Sequence, residues 1–343
     1  MALSQEDYKK IRKELEDCVR PLFFFHDDPD GLCSFLLFYR FIREGKGIPI
    51  KNTPKITVDF AQKVKDYGPD KVFILDMALV DQEFIDKAKT TIIWIDHHFP
   101  EKRTKVKYFN PRVNNQKDNF PVSYTCYESV KQDLWIAMIG CIGDWFLPPF
   151  VKEFTQKYPN LFSDKIKRSE DGLFKTKIGE LVMMFSYALK GKTSDVMKCI
   201  KILTRIESPY ELLNNETPRA KFINKKVDKI KKFYKERLND ALKQVSKEKL
   251  MVYTYSDPKY SFTKELANEL LYKFPDKTLI IGRIKSGEVK CSIRSTKPIL
   301  PPIVEKALQG VSGYGGGHEH ACGAGIKVED FNQFIDNFKK ELK

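Results

Sequence analysis

The sequence predicts an α/β protein, with a parallel-sheet domain carrying helices on both faces, joined by a long helix to a smaller α/β domain. Three observations predict it. From Leu22 to Ile95, short apolar runs of strand type alternate with stretches of helical periodicity, the pattern of a parallel sheet buried on both sides. An amphipathic stretch from Pro218 to Ser246 then interrupts the chain. Beyond it the alternation returns on a smaller scale. These boundaries divide the chain into 1–215, a connecting helix over 216–247, and 248–343.

Each element has a local reason. Ser4-Gln5-Glu6-Asp7 forms a capping box, and Tyr8, Ile11, Leu15 and Val19 follow at helical spacing until Pro21. Leu22 to Phe25 reads as a buried strand. A polar turn follows, then an apolar helix from about Leu32 to Arg43, stopped by Gly45 and Gly47. Ile56–Phe60, Val72–Leu75 and Thr91–Ile95 are further strands; Val80, Phe84, Ile85 and Ala88 line one face of a helix between the last two. From about Ser123 to Leu213 the pattern is almost wholly helical.

Thr217-Pro218 opens the long helix, with threonine as N-cap and proline in the first turn. Ile223, Val227, Ile230, Tyr234, Leu238, Ala241 and Val245 form its apolar stripe, over a length of roughly 43 Å at about 1.5 Å per residue. An interdomain strut is the expected role; a homo-oligomer packed on this stripe is the alternative. Strands at Leu250–Tyr255, Thr278–Ile284 and Val289–Arg294, helices at Thr263–Tyr272 and Ile303–Leu308, a glycine-rich loop, a strand and a terminal helix complete the chain.

Composition narrows the partners. Lys plus Arg is 60 against 46 Asp plus Glu, a balance of +14 that suits either a polyanionic partner or a lysine-rich solvated surface. No basic segment leads into an apolar core at the N-terminus, and no run of about 18 apolar residues exists, so the expectation is a cytoplasmic protein with no membrane association. Cys18, Cys33, Cys126, Cys141, Cys199, Cys291 and Cys322 form no CxxC pair and read as reduced, buried small residues.

The chemistry concentrates after the strands. Phe25 is followed by His26-Asp27-Asp28-Pro29-Asp30-Gly31, Leu75 by Asp76, and Ile95 by Asp96-His97-His98. In a parallel sheet, the crevice beyond the carboxyl ends of the strands is where ligands bind. Asp144, at the end of an apolar helix, completes the ring. A lone acid after a strand is usually a turn or cap residue. Here, though, all five histidines fall either in these motifs or in the glycine-rich loop, as His318 and His320. Mixed carboxylate and imidazole donors suit Mn²⁺ or Mg²⁺ rather than thiolate-bound zinc. Two such ions sharing a carboxylate suit in-line attack on phosphorus.

In this order, His26-x-Asp28-x-Asp30, Asp76, Asp96-His97-His98, Asp144, Ser292-Ile293-Arg294-Ser295 and Gly315-Gly316-Gly317-His318 resemble the DHH phosphoesterase superfamily, in its RecJ-like two-domain form of archaeal type with a C-terminal DHHA1 domain. The resemblance implies one ion on His26, Asp28 and Asp76, and a second on Asp30, Asp76, His97 and Asp144, with Mn²⁺ preferred over Mg²⁺ or Co²⁺. It implies that His98 faces the scissile phosphate and that Asp96 supports the histidine pair. Ser292, Arg294, Gly315, Gly316, Gly317 and His318 would grip the far end of the substrate. Asn110-Pro111 matches a further family position, read as structural support, while Lys105, Lys107 and Arg112 are either phosphate contacts or a solvated basic loop.

The implied function is an exonuclease on single-stranded RNA, DNA or short oligonucleotides, with replication or repair proteins as further partners. Hydrolysis of dinucleotides or other small nucleotides is the alternative within the enzymes. A metal-free replisome scaffold is the alternative outside them, against which the intact set of ligand-type residues argues.

Overall fold

The computed structural model describes residues 2–51 and 55–342. It separates into two compact units, Met1–Leu189 with Thr193–Val227, and Lys190–Lys192 with Asp228–Lys343.

The first unit begins with α1 (Gln5–Glu16), β1 (Leu22–His26), α2 (Pro29–Ile42), β2 (Lys46–Ile50) and β3 (Lys55–Ile56). It continues with α3 (Ala61–Tyr67), β4 (Lys71–Leu75), β5 (Leu79–Val80), α4 (Gln82–Ala88), β6 (Thr91–Ile95) and β7 (Lys107–Phe109). Helices α5 (Val122–Val130), α6 (Leu134–Gly143), α7 (Val151–Lys157), α8 (Ser169–Lys175), α9 (Lys177–Ala188), α10 (Thr193–Leu203) and α11 (Pro209–Leu213) finish it. The main sheet runs β2-β1-β4-β6-β7, all parallel.

The apolar runs form strands because both faces of this sheet are covered. Phe24, Ile74 and Trp94 pack on one side with Val64, Phe84 and Ile85 of α3 and α4. On the other, Phe23 stacks on Phe73 at 5.3 Å and Phe25 on Phe35 of α2 at 4.8 Å. All seven cysteines are unpaired and buried.

Three expectations are corrected here. Helix α2 starts at Pro29 rather than Leu32, because Asp28 is its N-cap, accepting from the Gly31 amide at 3.0 Å, and proline fits the first helical position. The 56–60 stretch supplies only Ile56, the second residue of β3, which pairs with β5, and then a 3-10 turn over Val58–Phe60. One edge strand of the main sheet is β2, whose Gly47 and Pro49 read as breakers; proline is tolerated at a sheet edge because one side needs no ladder donor.

Helix α12 (Pro218–Lys243) carries the boundary between the units. Its Ile223, Val227, Ile230, Tyr234 and Ala241 are buried. In the second unit, β8 (Leu250–Ser256), α13 (Thr263–Lys273), β9 (Thr278–Lys285), β10 (Glu288–Arg294), α14 (Leu300–Ala307), β11 (Gly313–His318), β12 (Ala321–Lys327) and α15 (Phe331–Glu341) follow. The sheet order is β11-β12-β10-β9-β8, with only β8 and β9 parallel. Val304, Phe334 and Phe338 from α14 and α15 close a core with Val289, Ile293 and Ile326.

The expected glycine-rich loop is in fact β11, an exposed edge strand. Glycine disfavours strands, but here bareness serves packing: a Cβ at Gly315 would lie 2.8 Å from Val304 of α14, and one at Gly317, where φ is +149, would overlap the Ala321 carbonyl oxygen. Among the described residues no helix is long and apolar enough to cross a membrane.

Arg40, near the end of α2, ties the helical layer together. Its guanidinium grips Asp133 through Nε and Nη2 at 2.7 and 2.8 Å, and Nη1 donates to the carbonyls of Ile206 and Thr204. Both side chains are only 16% exposed, so removing one partner strands a charge. Arg40→Ala should cost about 3–5 kcal/mol in urea unfolding, and Arg40→Lys should recover little, since an ammonium cannot make the fork. A loss below about 1 kcal/mol would assign the pair to the ordinary surface class.

Candidate metal centre

The parallel sheet sets the positions of the strand-end residues. His26 is the last residue of β1, Asp76 follows β4 and Asp96 follows β6, all at the carboxyl edge. Helix α2 then returns Asp28 and Asp30 to the same edge. Gly31 is required for that return, because a Cβ there would overlap the His26 carbonyl oxygen and lie 2.8 Å from its amide nitrogen. Asp144 arrives as the C-cap of α6.

Asp76 is at the centre. His26 Nδ1 lies 3.4 Å from its Oδ2 and His97 Nε2 lies 3.3 Å from its Oδ1. His26 Nδ1 also lies 3.1 Å from Asp28 Oδ2, and His97 Nε2 lies 3.7 Å from Asp144 Oδ2. Three groups of potential donors therefore converge, each within 4.8 Å: His26, Asp28 and Asp76; Asp30, His97 and Asp144; and Asp76, His97 and His98. Asp76 is 2% exposed, has φ 58, and its Oδ1 is buried without a hydrogen-bond partner. The buried oxygen without a hydrogen-bond partner is a cost that a cation would relieve, and a non-glycine residue in the strained left-handed region holds it in place.

The electrostatics agree. Burial would pull the His26 imidazole down, but the Asp28 and Asp76 carboxylates outweigh it and hold the pKa well above the ordinary value. His97 is likewise raised against its burial, by Asp144, Asp76 and Asp30. Burial, then Asp76 and Asp144, push Asp30 well above the usual carboxylate range. Protons thus substitute for the positive charge the cluster requires. Its nitrogen and carboxylate donors fit hard to borderline divalent ions.

Asp96 is placed differently from the expected support of both histidines. It accepts from His98 Nδ1 at 2.8 Å and from the His98 amide at 3.0 Å. His97 is held instead by Asn119, whose Oδ1 lies 2.9 Å from Nδ1, and by Arg112 Nε, which donates to the His97 carbonyl at 2.7 Å. Asn110 does support the site: its Nδ2 donates to the His98 carbonyl and the Tyr108 hydroxyl. The basic residues nearby are engaged within the protein, Lys105 with Asp86 and Lys107 with Glu14. Asn119 was not singled out in the sequence, because Asn114 to Asn119 is a polar run with nothing to distinguish one amide from the next.

In the second unit, alternation along β11 puts Tyr314, Gly316 and His318 on the face that carries Ser292 and Arg294 of β10 across β12. Gly315 and Gly317 fall on the other face, so the expected cradle is divided between two faces. A Cβ at Gly316 would meet nothing within 4 Å. The Ser292 hydroxyl donates to Thr263 Oγ1 at 3.0 Å. The Arg294 guanidinium donates to Asn268 Oδ1 and to the Ile293 and Cys322 carbonyls, and among the described residues no carboxylate lies within 4.0 Å of it. Loss of surrounding solvent pulls its pKa down to about 10.

Comparison with known proteins follows the same two units. The N-terminal domain of the DHH family matches residues 22–134, and the DHHA1 domain matches residues 247–343. RecJ from Thermus thermophilus, solved with Mn²⁺, is 12% identical, with a TM-score of 0.71 over 99% of this chain and 55% of that one. The chain thus spans about half the length of that protein. An exonuclease RecJ bound to manganese is also 12% identical, with a TM-score of 0.63 over 99% of this chain and 94% of that one. The pGpG-specific phosphodiesterase PggH from Vibrio cholerae is 14% identical, with a TM-score of 0.50 over 94% and 98%. No curated protein matches the chain by sequence. At these identities the structural likeness is one of fold, and it agrees with the two domain matches: the chain belongs to the DHH/DHHA1 family and has its RecJ-like two-domain build.

Proposed function

We propose that the protein is a divalent-metal-dependent phosphoesterase acting as an exonuclease on single-stranded RNA or DNA or short oligonucleotides. The observation that carries this reading is Asp76, whose two oxygens face His26 on one side and His97 on the other while one of them lacks a hydrogen-bond partner. His26, Asp28 and Asp76 would hold one ion, and Asp30, Asp76, His97 and Asp144 a second, with Mn²⁺ preferred over Mg²⁺ or Co²⁺. When bound, such ions neutralise phosphate charge and acidify the attacking water.

The chain's own groups do the rest. Asp96 accepts from His98 Nδ1, so Nε2 is the nitrogen left for the substrate, and when it carries the second proton of the ring it can donate to a phosphate oxygen or to the leaving oxygen. Arg294, partly buried with no carboxylate beside it among the described residues, suits a substrate phosphate in the second unit. Ser292, His318 and the bare backbone of Gly315 to Gly317 would border that contact, with Gly316 leaving the floor open. Hydrolysis of dinucleotides is the second reading, favoured by the likeness in fold to a pGpG-specific phosphodiesterase that the chain spans almost completely. Product analysis with Mn²⁺ on 5′- and 3′-labelled RNA and DNA oligomers, beside dinucleotides, separates the two; no product from any of them would sink both.

Two substitutions test the assigned roles. Asp76→Ala should reduce turnover at saturating Mn²⁺ to below about a tenth of wild type, since one carboxylate serves both ions; a variant above that rate would show that Asp76 is not shared. Arg294→Ala removes a charge-assisted contact of about 1.5–3 kcal/mol, so KM should rise about tenfold or more while kcat changes little. A fall in kcat at unchanged KM would overturn the binding role.

A further inference from the structure

The two imidazoles on either side of Asp76 are held differently. On the His26 side, Nδ1 faces Asp28 and Asp76, while Nε2 lies 4.0 Å from Asp27 Oδ1, beyond hydrogen-bond reach. On the His97 side, Nδ1 meets Asn119 Oδ1 at 2.9 Å, so Nε2 is the nitrogen turned to Asp76 and Asp144. The same stretch of chain then enters α5, where the Val122 and Ser123 amides donate to Asp30 Oδ2 and Oδ1 at 2.8 and 2.9 Å. Residues 119–123 thus fix two members of the Asp30, His97 and Asp144 group from outside the cluster.

We infer that Asn119 is a positioning residue: it accepts the Nδ1 N–H of His97, so that the proton given up to a divalent ion is the one on Nε2, which with Asp30 then forms a half-site for that ion. The physical reason is tautomer control. A neutral imidazole offers one lone pair, and the partner of the other nitrogen decides which one. An amide oxygen at Nδ1 accepts only from N–H, so the lone pair is left on Nε2. A rotated or wrongly protonated ring presents N–H to the ion instead. Such outer partners of a ligating histidine typically change metal affinity by about 10–100-fold.

This inference rests on the reading that the cluster holds divalent ions, and one titration separates the two. Metal-stripped wild type, Asn119→Ala and Asn119→Asp are titrated with Mn²⁺ by calorimetry, with urea unfolding as a control on the fold. Asn119 is exposed at the surface, so the variants should fold. Wild type should bind two ions. In Asn119→Ala, one ion should weaken by about 10–100-fold while the other stays within about twofold, and Asn119→Asp, which keeps an acceptor at the same reach, should restore the loss. Equal binding by Asn119→Ala and wild type would overturn the inference while leaving the metal reading intact. Equal weakening of both ions, or no recovery in Asn119→Asp, would also overturn it, because general loosening rather than orientation would then be at work. A wild type that takes up no ion would overturn the metal reading and this inference with it.

Discussion

Burying a carboxylate costs several kcal/mol unless positive charge accompanies it, and Asp76 is almost wholly out of solvent with Asp28, Asp30 and Asp144 close by. The first unit is built to impose that cost. A sheet of phenylalanines and isoleucines, dry on both faces, fixes where each strand ends, and the chain then has no freedom to spread its charges apart. The left-handed backbone at Asp76 is a further strain of the same origin. Raised histidine pKa values are the protein's provisional answer: protons occupy positions that a harder cation would fill more fully.

The second unit carries the opposite imbalance. Arg294 is partly buried with amide and carbonyl partners and, among the described residues, no carboxylate within 4.0 Å, Glu265 acting on it only from further away. The excess of negative charge in the first unit is what divalent cations would neutralise, and the guanidinium in the second is suited to an anion. The overall +14 says much less, since many of its lysines pair locally with acids on exposed helix faces.

How far the sequence could be read depended on whether a residue's reason was local. His26, Asp76 and Asp96 were legible because a dry strand ends where apolar residues stop, and the next residue must sit at the sheet edge. Asp28 and Asp30 were legible as site acids, although the helix that returns them begins earlier than its apolar run suggests. Strand β2 was hidden by Gly47 and Pro49, whose tolerance at a sheet edge depends on knowing which strand is the edge. Strand β11 was hidden because glycine ordinarily signals a loop, whereas here the bareness of Gly315 and Gly317 answers to Val304 of α14 and to the Ala321 backbone. The role of Asn119 depends on a contact 22 residues back in the chain, and nothing in its own neighbourhood announces it.

Helix α2 delivers Asp28 and Asp30 at one end and is clamped by Arg40 near the other, roughly 18 Å away at about 1.5 Å per residue. A rigid rod fixed at its tail determines where its head points, so the clamp acts as a remote aiming device for the acids. Folding of the helical layer and placement of the acidic cluster therefore depend on the same distant residue. In a mutational scan Arg40 and Asp133 would score like members of the acidic cluster without touching it, and sensitivity to substitution would misplace that cluster toward the far side of the helical layer.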